Sequence, residues 1–342
     1  MDQTPAAPDP ASAPSRQTGP DPAPEPDPRL DPDVAVWLVQ TSSSVEAMSV
    51  ADARVDSREK NLLALQKMDP ALVPESEVDR EIDTAAGTMA VRVLRPAGAG
   101  PRATVVYFHG GGWVIGDIDT HLGHARRIAV QLNAVVVSVA YRRAPEHRFP
   151  AAFDDAVAAT NWVGEHLDEF GGNDALVVAG DSAGAQLAAS VAIARRDAGL
   201  PLAAQLLLYP VTDAAGRYVD PEINARYMSR RTSQHGFGLT LEGMVYYARL
   251  YVDDADSADW RVSPIRRTDL GGVAPAVVHT ATLDVLRTEG NFYADALRAA
   301  GVRVISHEFP TLNHSYFGLG GVSAVADAAA AQAADDVLTL LG

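Results

Sequence analysis

Short apolar runs alternate with amphipathic stretches along most of the 342-residue chain. Runs such as Val135–Val136–Val137 and Leu206–Leu207–Leu208 predict strands that are buried on both faces, which is typical of a parallel sheet. Strands are predicted at 103–109, 134–140, 175–180, 203–209, 276–282 and 302–309, with an additional strand pair at 77–82 and 89–94. Helical periodicity predicts helices at 121–132, 151–167, 183–195, 287–299 and 324–340. This alternation predicts an α/β fold with a mostly parallel central sheet flanked by helices.

Three regions depart from this alternation. Residues 1–32 contain ten of the 22 prolines and almost no large apolar side chains, so they predict a disordered tail. Apolar positions at helical spacing in 33–75 predict two helices, and the charged, aromatic stretch 213–262 predicts a helical insertion. Such an insertion lies at the carboxyl ends of the strands, where α/β sites form. The helices are therefore predicted to cap a site in a catalytic core made of 76–212 and 263–342.

Composition and charge narrow the classes of function. The net charge of −16 and the pI near 4.9 argue against nucleic acid or an anionic membrane surface as a partner, because both bind basic surfaces. No apolar run approaches the roughly 20 residues of a membrane helix, and no secretory signal is visible. The chain has no cysteine, which excludes disulfides, thiolate metal sites and a cysteine nucleophile. We therefore expect a cytoplasmic protein without a membrane span.

The sequence GDSAG at residues 180–184 has the form G-x-S-x-G. It directly follows an apolar strand and opens an Ala-rich helix, which is the setting of the nucleophile elbow in α/β-hydrolases. Glycines on both sides of Ser182 allow the sharp turn that exposes its hydroxyl at the end of the strand. Because the motif alone also fits a small-residue turn before a buried helix, the other groups of a hydrolase site must be found as well.

A serine nucleophile needs a base to accept its proton and a carboxylate to orient that base. Asp284 and His314 each follow a predicted strand, so both are expected at the same sheet edge as Ser182, in the chain order Ser, Asp, His. Glu289 competes for the acid role but lies inside the next helix. His307 competes for the base role but lies within a strand. We predict Asp284 as the acid and His314 as the base.

The sequence HGGGW at residues 109–113 follows another strand, which is where many α/β-hydrolases carry their oxyanion loop. Glycines let backbone N–H groups approach a substrate closely. We predict that the N–H groups of Gly110, Gly111 and Ala183 donate to the oxyanion. His109 is predicted to hold its own loop rather than to act as a base.

Four further residues are candidates for binding. Trp113, beside the glycine loop, and Asp181, beside the nucleophile, are candidate substrate-binding residues. His121 and His124 are three positions apart on a predicted helix, a spacing that can bind a metal ion. No obvious cluster of Cys, Asp or Glu accompanies them, so neither a metal nor a cofactor is predicted.

With these motifs in place, the chain resembles the bacterial hormone-sensitive-lipase-like esterases, the HGGG-bearing branch (family IV) of the α/β-hydrolases. The resemblance rests on HGGGW at 109–113, YRRAPEHRFPAAFDD at 141–155, GDSAG at 180–184, SPI at 263–265, DVLRTEG at 284–290 and HSYF at 314–317. It extends from about residue 78 to the C-terminus, weakens across 213–262 and is absent from the tail.

The resemblance implies an α/β-hydrolase fold that hydrolyses small-molecule carboxylic esters without a cofactor, usually with short to medium acyl chains. It implies Ser182, Asp284 and His314 as the catalytic triad, and it allows a homodimer. Two positions depart from the family pattern: Ala185 stands where a glycine is common, and Thr288 stands where an aspartate is usual. Neither removes a catalytic group, but both could alter how Asp284 is positioned.

Two other functions stay open on these residues. An acyltransferase, or a deacylase of an acylated small molecule, would use the same nucleophile with a different substrate or acceptor. A non-catalytic small-molecule receptor on the same fold would be favoured by loss of the triad histidine, and His314 is present.

Overall fold

The computed structural model describes residues 27–41, 43–234 and 237–342. Most of the predicted tail, residues 1–26, lies outside the described residues. The end of that tail is packed rather than disordered, because Leu30 and Asp31 are buried. The Asp31 N–H also donates to the Thr311 carbonyl at 2.8 Å. The packed chain therefore begins a few residues before the predicted start at residue 33.

Eight strands form a single sheet. Their bounds are β1 Ser76–Thr84, β2 Gly87–Arg95, β3 Arg102–Phe108, β4 Val135–Val139, β5 Gly172–Asp181, β6 Ala204–Leu208, β7 Ala276–Leu283 and β8 Val304–Asn313. Their spatial order is β1-β2-β4-β3-β5-β6-β7-β8. β2 pairs antiparallel with β1 and β4, whereas every pair from β4 to β8 is parallel. The predicted mostly parallel sheet is confirmed.

Ten α-helices are found in the part of the chain that the structure describes. They are α1 Pro32–Thr41, α2 Val50–Gln66, α3 Leu122–Gln131, α4 Ala151–Glu165, α5 Ala183–Asp197, α6 Pro221–Arg226, α7 Ser229–Thr232, α8 Leu241–Tyr251, α9 Arg287–Ala299 and α10 Ala324–Leu341. Every helix predicted for the core is present within two residues at each end. Among the described helices, none combines the length and apolarity needed to cross a bilayer.

Both faces of the sheet are buried. Neighbouring residues of a strand point to opposite faces, and Val105 and Val106 of β3 are both fully buried in separate hydrophobic clusters. The cluster around Val106 includes residues of α4, α5 and α9, and the cluster around Val105 includes residues of α1, α3 and α10. This two-sided burial explains the uninterrupted Val and Leu runs in the sequence.

The carboxyl ends of four parallel strands bring the candidate residues together. His109 directly follows β3, Ser182 follows β5, Asp284 follows β7 and His314 follows β8. Because these strands run in the same direction, all four residues lie at the same edge of the sheet.

Strand β8 is longer than its predicted range of 302–309 and continues through Pro310 to Asn313. A proline lacks the N–H that a central strand needs, so it usually marks a strand boundary. β8 is an edge strand that pairs with β7 on one side, and an edge position tolerates proline. This extension carries the chain to His314 at the site.

Candidate active site

Ser182 occupies a sharp turn between β5 and α5. Its backbone has φ 54° and ψ −118°, a strained conformation for a residue other than glycine. The turn packs so closely that a Cβ at Gly184 would lie 2.0 Å from the Phe108 carbonyl oxygen. The Ser182 N–H donates to the Leu208 carbonyl at 2.9 Å. The predicted strand–turn–helix elbow is therefore present, and its glycines are required by contact with neighbouring backbone.

Ser182, His314 and Asp284 form a continuous hydrogen-bonded chain. The Ser182 Oγ lies 2.9 Å from His314 Nε2, and His314 Nδ1 lies 2.8 Å from Asp284 Oδ2. Asp284 Oδ1 accepts the Leu286 N–H at 2.9 Å, which fixes the carboxylate. All three residues are at least nine-tenths buried. In this arrangement Asp284 orients the imidazole, and His314 Nε2 faces the serine hydroxyl.

The two rival residues have other partners. Glu289 is fully buried in α9, where its carboxylate accepts the Thr212 N–H at 2.8 Å and pairs with Arg230 at 2.5 Å. His307 Nε2 lies 3.2 Å from Asp336, and its side chain is 41% exposed. Both residues are thus engaged away from the Ser182 hydroxyl, as the sequence predicted.

The prediction that Gly110 donates to the oxyanion does not fit the structure. The Gly110 N–H already donates to Asp181 Oδ1 at 2.9 Å, so it is not free to bind a substrate oxygen. Gly111 and Gly112 line the cavity above Ser182, whereas Gly110 does not. Within the described residues, the N–H groups of Gly111, Gly112 and Ala183 have no hydrogen-bond acceptor. The sequence signal that could have indicated Gly112 is the third glycine of the HGGG motif.

Asp181 holds the glycine loop and also lines the cavity above Ser182. Besides Gly110, its Oδ1 accepts the Tyr107 hydroxyl at 2.6 Å, and its Oδ2 lies 3.6 Å from His121 Nε2. Burial opposes the charged carboxylate, but His121, His124 and the Tyr107 hydroxyl favour it and hold the pKa of Asp181 well below its usual value. These bonds give Asp181 a positioning role for the loop, and its predicted role in substrate binding stays a prediction.

Trp113, by contrast, lies away from the substrate space. Its side chain is fully buried, its Nε1 donates to Gln186 Oε1 at 2.9 Å, and its ring stacks on Tyr251 with centroids 4.3 Å apart. An indole whose faces and N–H are all occupied by protein cannot contact a ligand. The predicted substrate contact at Trp113 is wrong, because the residue packs in the core below the loop.

His109 occupies the position expected for a residue that holds its own loop. Its Nδ1 lies 2.7 Å from the Gly110 carbonyl oxygen, and its ring stacks on Tyr141 at 4.3 Å. The Tyr141 hydroxyl donates to the His109 carbonyl at 2.8 Å. Burial, together with the neighbouring His121, lowers the pKa of His109 to about 3. The imidazole is therefore neutral at physiological pH, and it packs on Tyr141 beside the glycine loop.

The unusual Thr288 connects the loop after Asp284 to helix α7. Its Oγ1 accepts the Ser229 N–H at 3.0 Å, and the Ser229 Oγ in turn donates to the Val285 carbonyl at 2.8 Å. Ser229 was not indicated by the sequence, because it lies in the insertion where the family resemblance weakens. The other departure, Ala185, is fully buried in α5.

A cavity of about 300 Å³ opens above Ser182 and His314. Helices α1 and α2 and the segment between them form one wall, and the segment that leads into α8 forms another with Met244 and Tyr247 of that helix. The wall from α2 contains the polar residues Asp56, Ser57, Lys60 and Asn61. The cavity thus has apolar and polar sides that meet at the nucleophile.

Arg54 anchors α2 over the core. It pairs with Glu146 through its two terminal guanidinium nitrogens, at 2.7 and 2.8 Å, and donates to the carbonyls of Val114 and Ala144 at 2.9 and 3.0 Å. Glu146 belongs to the family-like segment 141–155, and no local pattern indicates its partner, since the two residues are 92 positions apart. This contact fixes the N-terminal wall of the cavity.

Comparisons with known proteins agree with this geometry. A family described as alpha/beta hydrolase fold matches residues 105–318. Carboxylic ester hydrolase LipN of Mycobacterium tuberculosis (strain ATCC 25618 / H37Rv) is 38% identical over 292 residues, which cover 82% of this chain and 75% of that protein. Carboxylesterase NlhH of the same strain is 37% identical over 287 residues, which cover 81% of this chain and 84% of that protein.

Solved structures give the same result. An esterase of Pyrobaculum calidifontis superposes with a TM-score of 0.82 at 35% identity and covers 91% of this chain and 98% of its own. A thermostable esterase from Pseudomonas putida ECU1011 superposes with a TM-score of 0.83 at 35% identity and covers 92% of this chain and 99% of its own. The predicted fold and the predicted class of enzyme are confirmed. The chain belongs to the α/β-hydrolase fold family, among its carboxylic ester hydrolases.

Proposed function

We propose that the protein hydrolyses small carboxylic esters through an acyl-enzyme on Ser182, with His314 as general base and acid and Asp284 as the group that orients it. The observation that carries this proposal is the pair of hydrogen bonds, 2.9 and 2.8 Å long, that joins the three side chains in one line. A buried serine whose hydroxyl faces an oriented imidazole is the arrangement that nucleophilic catalysis needs.

In the first half-reaction, Ser182 Oγ attacks the ester carbonyl carbon while His314 Nε2 accepts the hydroxyl proton. The carbonyl oxygen becomes an oxyanion, and we assign its donors to the N–H groups of Gly111, Gly112 and Ala183. Ala183 is the first residue of α5, so the positive end of the helix dipole adds to its N–H. His314 then protonates the departing alcohol.

In the second half-reaction, water replaces the alcohol. His314 Nε2 accepts a proton from the water, the hydroxide attacks the acyl carbon, and the proton returns to Ser182 Oγ as the acid leaves. Asp284 stays ionised throughout and stabilises the imidazolium that forms in each half. One ester and one water give one carboxylic acid and one alcohol.

The size of the cavity supports acyl chains of short to medium length. Its volume of about 300 Å³ lies at the lower end of the roughly 300–1,000 Å³ typical of small-molecule pockets. The N-terminal helices and the 213–262 insertion supply its walls, which supports the proposed division into a core and a cap.

A series of p-nitrophenyl esters from acetate to laurate tests this function. We expect the wild type to release p-nitrophenol fastest with the shorter esters, and Ser182→Ala to release none above background. Ser190→Ala is the matched control, because Ser190 is a buried serine of the adjoining helix α5 that does not line the cavity. Equal rates for wild type and Ser182→Ala would refute the proposal. Product analysis with an added alcohol would detect transfer to an acceptor other than water.

A cytoplasmic location and a homodimer are further proposals. The absence of cysteine in the sequence is compatible with a reducing compartment, and the family resemblance allows the dimer. Cell fractionation tests the first, and light scattering of the purified protein tests the second.

A further inference from the structure

Two histidines and an aspartate meet beside the cavity, and we call them the 121/124/181 cluster: His121, His124 and Asp181. One possible ligand atom from each lies within 4.8 Å of the others, and all three residues are buried. His121 and His124 come from the start of α3, whereas Asp181 comes from the end of β5. The sequence predicted no metal because the acidic partner is 57 positions away from His124.

The hydrogen bonds of His121 leave a lone pair that faces Asp181. The Thr120 hydroxyl donates its hydrogen to the Asp117 carbonyl at 2.9 Å, so toward His121 the hydroxyl oxygen can only accept. His121 Nδ1 lies 2.9 Å from that oxygen and is the donor in this arrangement. In a neutral imidazole the other nitrogen, Nε2, then carries a lone pair. This lone pair lies 3.6 Å from Asp181 Oδ2, so two acceptors face each other, and either a proton on Nε2 or a metal ion between them would relieve their repulsion.

His124 has a buried ring nitrogen that has no partner. Its Nε2 is buried, and the residues that the structure describes offer it no hydrogen bond. The ring is held between Tyr107 and Phe317, with centroids 6.4 and 5.4 Å away. An unpaired nitrogen in a buried position is costly unless it binds something.

We propose that the 121/124/181 cluster binds one divalent transition-metal ion of the Zn²⁺ type, through a nitrogen of each histidine and Asp181 Oδ2. Two imidazoles and one carboxylate are ligands that Zn²⁺ prefers, whereas Mg²⁺ and Ca²⁺ prefer oxygen alone. Bonds of about 2.0–2.1 Å in a tetrahedral site place the ligand atoms roughly 3.4 Å apart. The separation of 3.6 Å between His121 and Asp181 is close to this value.

The second oxygen of the carboxylate keeps its structural role in this arrangement. Asp181 Oδ1 stays bonded to Tyr107 and Gly110, and these contacts orient Oδ2 toward the metal, as outer contacts of metal ligands commonly do. All three residues of the cluster line the cavity, so an ion can enter from it and a water can complete the tetrahedron. Arg127, which lies close enough to act electrostatically on His124, is paired with Asp327 at 2.6 Å.

Titration of the metal-free full-length protein with Co²⁺, and then with Zn²⁺, tests the site. We expect one Co²⁺ per chain, with the intense visible absorption of tetrahedral coordination, which Zn²⁺ then displaces. His124→Leu should weaken binding by about a hundredfold or more, since even loss of an outer contact costs about 10- to 100-fold. If near-UV circular dichroism shows that His124→Leu is not folded, His124→Phe is tested instead. This variant keeps an aromatic ring beside Phe317.

Two control variants show which histidines bind Co²⁺. His307→Leu changes a second histidine and aspartate group, formed with His279 and Asp336, and should leave Co²⁺ binding unchanged. His314→Ala removes the triad histidine and should also leave it unchanged. The proposal is overturned if wild type shows no tetrahedral Co²⁺ spectrum, if folded His124→Leu binds as tightly as wild type, or if either control abolishes binding. None of these outcomes depends on ester hydrolysis.

Discussion

Asp181 Oδ1 accepts the Gly110 N–H at 2.9 Å and thereby joins the end of β5 to the loop after β3. The residue before the nucleophile thus holds the start of the glycine loop, and it orients the two following glycines toward Ser182. One carboxylate thus links the residue before the proposed nucleophile to the loop that carries the proposed oxyanion donors.

Replacing Asp181 with alanine should therefore lower kcat with little change in KM. We expect a loss of about a hundredfold in kcat, in the range seen when one oxyanion donor is lost. Asp181→Asn keeps an oxygen that can accept the Gly110 N–H and should recover much of the rate. Steady-state kinetics in EDTA measure both variants, and a wild-type kcat in folded Asp181→Ala would contradict this role.

Gly112→Ala should abolish most of the activity. Gly112 has φ 58°, and a Cβ there would lie 2.3 Å from the Tyr247 ring, so the loop or α8 must move. We expect kcat to fall by about a hundredfold or more, comparable to removal of one oxyanion donor. Gly199→Ala is the matched control, because Gly199 has φ 68° but its Cβ would contact nothing within 4 Å. Its activity should stay near that of the wild type, and equal losses in the two variants would argue against a special role for Gly112.

Acid should destabilise the protein partly through His109. Its pKa is lowered from 6.5 to about 3 by burial, then by His121 and Arg143, against the opposing effects of the Gly110 carbonyl and Asp181. Between these values the unfolded chain binds a proton that the folded chain does not, so stability falls as pH falls from 6.5 toward 3. Between pH 7.5 and pH 5.5, His109 should lower the free energy of unfolding by about 1.4 kcal/mol.

Urea unfolding at the two pH values measures this contribution. Over the same pH interval, the free energy of unfolding of His109→Asn should fall by about 1.4 kcal/mol less than that of the wild type. The control is His147→Asn, since His147 is exposed, and its loss should equal that of the wild type. An unchanged pH dependence in His109→Asn would show that this imidazole is not the group responsible.

The ion pair between Arg230 and Glu289 should stabilise the contact between α7 and α9. Both side chains are fully buried, and Arg230 also donates to the Asp213 carbonyl at 2.5 Å. Arg230→Met leaves a buried carboxylate without its cation and should cost about 3–5 kcal/mol in the free energy of unfolding.

A double-mutant cycle with Glu289→Leu tests this coupling. The summed losses of the single variants should exceed the loss of the double variant by about 1 kcal/mol or more. Arg298→Ala breaks an exposed pair with Asp295 and should change stability by less than about 1 kcal/mol. Additive losses in the cycle would mean that the two buried residues act independently.

The sequence was sufficient to predict the sheet, the elbow and the meeting of Ser182, Asp284 and His314 at one sheet edge, because each depends on a local pattern. Strands with continuous apolar runs must be buried on both faces, and parallel strands must end at one edge, so Ser182, Asp284 and His314 follow from their positions after strands. The assignment of Gly110 failed because its N–H is occupied by Asp181, 71 positions away.

Other features depended on similar long-range contacts. The buried position of Trp113 depends on Gln186 and Tyr251, and the 121/124/181 cluster depends on the packing of α3 against the end of β5. Each needs a partner that no local pattern indicates. The early start of the packed chain at Leu30 has the same cause, since Asp31 bonds to β8 almost three hundred residues later.

Covalent trapping of the nucleophile tests the central claim most directly. Diethyl p-nitrophenyl phosphate transfers its diethylphosphoryl group to an activated serine and releases p-nitrophenol, and mass spectrometry of the digested protein locates the group. We expect one group per chain on the peptide that contains Ser182, much slower labelling in His314→Ala, and none in Ser182→Ala. Labelling at another residue, or equal labelling in Ser182→Ala, would contradict the assignment of Ser182 as the nucleophile.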